Sequence, residues 1–290
     1  MVRIWWLLLA LTVSVRADER TQRLALRLAE EASAFERAAP RVLGVETLEQ
    51  RAQKPPKRFR VRVGDNAKRS PPVEWQQRKI VSEYAFSTFG EGSLHELRQV
   101  TSVDGKPVKN KGPEALAKLI LADDQGRKRE LLEQFANYGL QGAVTDFGQV
   151  ILLFTPGNIG RYEFGFVRRA TQSDRPVLVF SYRQIDGPNP VTVIDARSKV
   201  ATALEVSGEI WVNEDTYQPV RISIRSGEDA QRQEASVEYA MSGYGIVLPV
   251  RTDHRESRNG EVTAENHFTY EGFRRFGASA DIIFEAEDPQ

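Results

Sequence analysis

The sequence predicts an α+β protein dominated by one antiparallel sheet, with its few helices placed before most of the strands. Three observations predict it. The stretch Val206 to Ile224, VSGEIWVNEDTYQPVRISI, alternates apolar and polar residues on both sides of a polar loop. The same period of two recurs from Tyr162 to Tyr270. Helical spacing is confined to Asp18–Ala39 and to segments between Pro113 and Gly139.

In the hairpin, Val206, Gly208, Ile210 and Val212 share one face. With Glu214, Asp215 and Thr216 as the loop, an odd spacer keeps Val220, Ile222 and Ile224 on that same face. This loop sets Ile210 opposite Val220 and Glu209 opposite Arg221, an ion pair on the wet side. Trp211 falls on the wet side too, beside Pro219.

The chain opens with Val2-Arg3, an apolar run from Ile4 to Val15, and then Arg16-Ala17-Asp18. Twelve helical residues span about 18 Å, short of the roughly 30 Å a membrane requires. Residues 1–17 therefore read as a cleaved secretory signal rather than an uncleaved anchor, with Val15 and Ala17 as the small residues before the cut. The expected protein is periplasmic or secreted, has no transmembrane segment after cleavage, and forms one domain over 18–280 with an acidic tail over 281–290 that frays. With 290 residues, 40% of them apolar, it can bury a large core without disulfides. The absence of cysteine excludes thiol catalysis and a lipidated N-terminal cysteine. Forty basic against 40 acidic residues give no support to nucleic-acid binding.

Leu24, Leu28, Ala32, Phe35 and Ala39 line one face of a helix over 18–39, with Arg27 and Glu31 paired one turn apart and Pro40 as the stop. Between Arg51 and Lys79 there are ten basic residues and two acidic ones. There Arg58, Arg60 and Arg62 alternate with Phe59, Val61 and Val63, so one strand would present three guanidinium groups. Such a row suits an anionic surface or an acidic partner, and equally protects a sheet edge from pairing. Ile80 to Thr88 and Leu94 to Val103 continue as strands, and Asp104-Gly105 marks a tight turn. Helices follow over 113–123, opened by Pro113, and 127–139, stopped by Gly139. Val150–Phe154 is too short for its period to separate helix from strand; a short helix over 147–155, capped by Asp146 and ended by Pro156, is the reading adopted. Near the C-terminus, Arg258-Asn259-Gly260 reads as a three-residue hairpin loop. That register places Leu248, Val250, Thr252 and His254 on the face of Ala264, Asn266, Phe268 and Tyr270, with Arg251, Asp253, Arg255, Glu265 and His267 on the other.

No reaction is legible. The three histidines lack ligand spacing; His254 reads as a core histidine and His267 faces outward, so they share no metal. No nucleophile elbow or phosphate loop occurs, and no carboxylates stand paired on an otherwise apolar face. No cofactor and no enzyme is called for. Apolar surface remains. If the helices cannot shield the sheet, a groove results that suits an acyl chain, and the alternative is a filled core.

The segment Ser207 to Asn213, with Thr216 and Pro219 to Ile222, resembles the signature hairpin of the periplasmic lipoprotein-carrier fold. That fold includes lipoprotein localisation carriers and the lipid-sensing domains of envelope-stress regulators. Asn213 stands where that fold more commonly has Asp. A longer match, through Leu97–Val100, Val103–Val108, Tyr138–Leu140, Phe154–Asn158 and Phe268–Phe276, is to a group of exported bacterial β-rich proteins of uncharacterised function. The resemblance implies an incomplete, strongly curved β-barrel with the N-terminal and short helices packed on its concave face. It further implies a non-enzymatic protein that carries or senses a lipid or a lipoprotein's acyl chain. Inward candidates for the groove are Tyr162, Phe164, Phe166, Phe180, Ile210, Val212, Ile222, Val250 and Phe268. The alternative is an envelope interaction or sensing module with a filled core, docking a protein partner through Arg58, Arg60 and Arg62.

Overall fold

The structure, a computed structural model, describes residues 3–54, 73–89, 93–109, 112–122, 124–140, 146–194, 201–277 and 282–283. Arg58, Arg60 and Arg62 lie outside the described residues, as does most of the acidic tail. Helix α1 (Arg3–Ala38) runs without a break through the expected cleavage point after Ala17. It buries Leu24, Leu28, Ala32 and Phe35 completely, and Arg27 pairs with Glu31 at 2.5 Å.

Strands β1 (Val42–Gln53), β2 (Trp75–Phe89), β3 (Ser93–Val103) and β4 (Lys106–Pro107) come next, then α2 (Pro113–Ala122) and α3 (Gln125–Tyr138). The Asp124 side chain caps α3 by accepting from the Arg127 backbone N–H at 3.0 Å, and Gly139 closes it. Val150–Phe154 resolves as one turn of 3₁₀ helix. The remaining strands are β5 (Tyr162–Gln172), β6 (Arg175–Gln184), β7 (Val191–Ile194), β8 (Ala201–Leu204), β9 (Val206–Asn213), β10 (Pro219–Glu228), β11 (Gln231–Met241), β12 (Val247–Arg258), β13 (Glu261–Phe276) and β14 (Ile282–Ile283).

The main sheet runs in the order β4-β3-β2-β1-β13-β12-β11-β10-β9-β6-β5, antiparallel wherever the register is defined, with β7 and β8 as a separate ribbon and β14 alongside β13. Its two ends do not pair with each other, so it is open. Curvature follows from α1. Strands β2 and β5 stand eight places apart in that order, about 38 Å if flat. Yet Phe35 packs on Phe86 of β2 with rings 5.0 Å apart, and Arg20 stacks on Phe166 of β5 at 4.8 Å. Arg20 and Phe35 are separated by only about 22 Å of helix. The chord is shorter than the arc, so the sheet curls around α1: the expected half-barrel.

Three sequence expectations need correction. In the β9–β10 hairpin, Ile210 pairs with Ile222 and Trp211 with Arg221, two places off the expected register. The Asn213 carboxamide oxygen accepts from the backbone N–H groups of Asp215 and Thr216 at 3.0 and 2.9 Å, and Tyr217 takes φ +58. The loop therefore has four residues, and a bulge between Pro219 and Arg221 leaves Val220 half-buried. The two insertions cancel in parity, so Ile222 and Ile224 still face the core. In the β12–β13 hairpin, Asn259 and Gly260 form a two-residue turn with φ +51 and +80, and a bulge then sets His254 opposite Asn266. Helix α2 packs behind the sheet. Its Leu116 and Ala117 meet Leu43, Ala85 and Leu97, whose parity is opposite to that of Leu48, Tyr84 and Phe86.

Candidate functional site

The concave face carries the apolar candidates. Phe180, Ile210, Val212 and Ile222 are wholly buried, Phe268 and Tyr162 nearly so, and Phe164 and Phe166 are half-buried. They join one continuous core with Leu24, Leu28 and Phe35 of α1 and with Val150, Ile151 and Phe154 of the 3₁₀ turn. Phe154 is the hub on the β5–β6 side, its ring 5.2 Å from Tyr162, 5.8 Å from Phe164 and 5.1 Å from Tyr182. Phe268 stacks on Tyr270 at 6.3 Å on the other side. Val250 is the exception, 37% exposed. Glu238 pairs with Arg251 and Tyr239 with Pro249, so Val250 is the extra residue of a bulge and is turned outward.

The 3₁₀ turn is held by few polar contacts. The Tyr239 hydroxyl donates to the Gly148 carbonyl at 3.0 Å and accepts from the Ile151 N–H at 3.2 Å. The Gln149 N–H donates to Glu96 at 3.2 Å. Asp146 does not cap the turn; it accepts from or pairs with His95 at 2.8 Å and lies 3.7 Å from Arg98.

That contact belongs to a buried charge cluster that the sequence reading missed. Arg98 on β3 places Nε 2.8 and 2.9 Å from the two carboxylate oxygens of Glu46 on β1, and a second nitrogen meets Glu96. Glu46, Glu96 and Arg98 are each at most 3% exposed. The guanidinium lies over Phe135 at 4.8 Å and over Tyr84 and Phe268 at 5.5 and 5.8 Å. Burial pushes the Glu96 carboxyl up to about 8, against the pull of Arg98. Burial also raises Glu46. For Arg98, burial opposes the charge but Glu46 and Glu96 outweigh it, and the guanidinium is held far above the titrating range. The hydrogen bond to Asp146 raises His95. Two carboxylates thus do converge on an apolar face. The signal was the shared strand parity of Leu94, Glu96, Arg98 and Val100. With Arg98 filling the space between them, the cluster serves as an anchor for strands β1 and β3 and the Asp146–Gln149 loop.

His254 is buried, and burial drives its pKa down to about 4. Asn266 donates to its Nδ1 at 2.8 Å, leaving Nε2–H to donate to Gln233 at 2.6 Å. His267 sits on the opposite face with Asp253 at 2.6 Å. Asp253 lies between Ser236 and His267 in the strand order, so the imidazole is separated from that hydroxyl by its own carboxylate partner.

On the face away from α1, a polar trough of about 1350 Å³ runs across β1, β2, β6 and β9 to β13. Its charges are largely matched: Arg51 and Arg255 with Glu265, Lys79 with Glu49, Arg225 with Glu234. Trp211 lies between Arg168 and Arg221, at 5.5 and 4.8 Å, and donates to Glu209 at 3.0 Å. Glu209 is bound by Arg168, while Arg221 turns to Glu238. Among the described residues no helix is long and apolar enough to cross a membrane.

The fold so defined is an open antiparallel half-barrel wrapped around its N-terminal helix. No family model matches the sequence, and no curated protein matches it. Among solved structures, the chain is similar to a Vibrio parahaemolyticus protein domain described as outer membrane lipoprotein-sorting, at 10% identity and TM-score 0.40, over 86% of this chain and 91% of that one. It is similar to a DUF1329 family protein from Desulfovibrio piger at 9% identity and TM-score 0.39, over 87% and 91%. A LolA superfamily protein from Nitrosomonas europaea shows 12% identity and TM-score 0.33, over 86% and 92%. The fold description rests on the strand order and helix placement themselves.

Proposed function

We propose that this chain is an exported, non-enzymatic binding protein whose half-barrel receives an apolar ligand, a lipid or the acyl chain of a lipoprotein. The mature domain is residues 18–280, freed by cleavage after Ala17. The ligand lies against Tyr162, Phe164, Phe166, Phe180, Ile210, Val212, Ile222 and Phe268. One observation carries the reading: this apolar sheet face is covered by α1, by Phe135 and Tyr138 of α3 and by the 3₁₀ turn, not by a second sheet. Helices can leave without breaking a strand ladder.

The energetics support an exchange. Val150, Ile151 and Phe154 are buried, and exposing three such side chains costs roughly 5–9 kcal/mol. Burying about fifteen methylenes of an acyl chain in their place returns roughly 12 kcal/mol. Ligand and plug are therefore of comparable worth once the roughly 4–15 kcal/mol cost of association is counted, which is the condition for exchange. The test is extraction of the protein purified from its own envelope, followed by lipid mass spectrometry. Stoichiometric co-purifying lipid is expected; a protein that carries none and fails to bind a fluorescent fatty acid is not a carrier.

A second reading has its own support. Both cavities described at the surface are lined mainly by polar and charged residues, and the concave face is already occupied. On that reading the core stays filled and a protein partner docks at Arg58, Arg60 and Arg62. Reversing those three charges then abolishes partner capture with lipid content unchanged, whereas unaltered capture removes the reading.

A further inference from the structure

At the β5 side of the half-barrel, α1 and the β9–β10 loop enclose a polar recess of about 390 Å³. Three guanidinium groups border it: Arg20 and Arg23, three apart on one face of α1, and Arg169 from β5. The Arg20 guanidinium lies over Phe166 and that of Arg23 over Tyr217, each with its central carbon 4.8 Å from the ring centre. A guanidinium held over a ring by cation–π attraction keeps its N–H groups available to donate. Among the described residues neither Arg20 nor Arg23 forms an ion pair. Arg169 is steadied differently, its Nε 2.8 Å from Glu214. That contact leaves its terminal nitrogens unassigned. Tyr217 holds φ +58, and the loop geometry imposed by Asn213 brings its ring to the recess.

We propose that this recess binds a phosphoryl group, on a free phosphate or on a lipid headgroup. Planar, pre-oriented donor forks match the oxygens of a phosphate ester better than a point charge would. Glu214 and Asp215 border the same recess, so three positive charges against two negative leave a surplus of one. That balance suits a monoanionic phosphoryl group and disfavours a polyanion such as nucleic acid. The floor is Leu178, and Phe166 is shared with the apolar interior. A headgroup here would therefore sit at the edge of the concave face. The site does not depend on whether that face takes an acyl chain.

The test uses the mature full-length chain and two probes. In the first, inorganic phosphate is titrated and followed by ³¹P line broadening. In the second, the protein is co-sedimented with phosphatidylglycerol–phosphatidylcholine vesicles and with pure phosphatidylcholine vesicles. The double variant Arg20→Gln, Arg23→Gln should weaken whichever probe binds by about tenfold or more, since each removes a charge-assisted hydrogen bond. Its melting temperature should fall by only a few degrees, the loss of two cation–π contacts. Should that variant fold poorly, the exposed Arg169→Gln gives a smaller loss in the same assay. Binding of phosphate alone assigns the free anion; vesicle binding that phosphate does not displace assigns the headgroup. Wild-type protein that binds neither probe overturns the proposal, and so does a double variant that binds like wild type.

Discussion

Arg98 reaches over β2 to Glu46, its Nε 2.8 and 2.9 Å from the two carboxylate oxygens, with both side chains almost wholly out of contact with solvent. The residues are 52 apart in sequence and sit on strands that do not pair with each other. Their link, extended through Glu96 to the Gln149 N–H, ties the sheet to the loop that positions the 3₁₀ turn.

Arg98→Met should cost about 3–5 kcal/mol, because it strands Glu46 and Glu96 as unpaired buried groups. Adding Glu46→Leu and Glu96→Leu should recover most of that loss, since removing every charge leaves none uncompensated. Urea unfolding of the single and triple variants checks both halves. A triple variant no better than the single one would show that the charges stabilise on balance.

The pH dependence follows from Glu96. Its folded pKa is about 8 against 4.5 for the ordinary carboxyl, so the folded state holds this proton more tightly than the unfolded chain. That contribution is fully present below pH 4.5 and disappears as pH rises through about 8. Glu96→Gln, which imitates the protonated form, should flatten the fall in stability between about pH 4.5 and 8.

His254 acts in the opposite sense. Its folded pKa of about 4 lies below the usual 6.5, so stability present above pH 6.5 declines as pH falls toward 4. Replacing His254 with Gln, which titrates nowhere in this range, should remove that acid-side decline in chemical-denaturation curves.

Gly148→Ala tests the anchor loop. A Cβ there would stand 2.6 Å from the Tyr84 hydroxyl and 2.9 Å from a Glu96 carboxylate oxygen, so the loop must lift. The expected destabilisation is about 1–3 kcal/mol. Dye binding to apolar surface should increase, because Val150, Ile151 and Phe154 follow the loop. Unchanged stability and dye binding would mean that the loop moves freely.

Val250→Ser should change stability by less than about 0.5 kcal/mol, whereas Ile222→Ala should cost about 2–5 kcal/mol. The contrast follows from burial, as Val250 is 37% exposed and Ile222 wholly buried. Parallel thermal melts separate them.

The strands were legible because a period of two declares itself within five or six residues. Helix α3 was legible too, with Leu131, Leu132, Phe135 and Tyr138 spaced for one stripe and Gly139 as its end. The pairing was harder. The Asn213 side chain takes its loop hydrogen bonds from Asp215 and Thr216 in a four-residue loop, and a bulge adds one more residue, so the register moved by two while the inward faces stayed the same. Val250 failed for a related reason: a bulge is one residue of surplus between partners, and neither strand shows it alone.

By itself the sequence determined the helices over 18–39 and 113–139, most of the strands, and for most of those strands which side chains turn inward, since alternation is a local property of the backbone; it did not show β1 (Val42–Gln53) or the outward turn of Val250. Only the tertiary structure decided what those inward faces meet. The union of Glu46, Glu96, Arg98 and Asp146, the placement of α2 behind the sheet, and the stacking of Arg20 and Arg23 on Phe166 and Tyr217 all join residues far apart in the chain. Such meetings depend on how tightly an open sheet curls, and curvature is a sum over every strand rather than a property of any one.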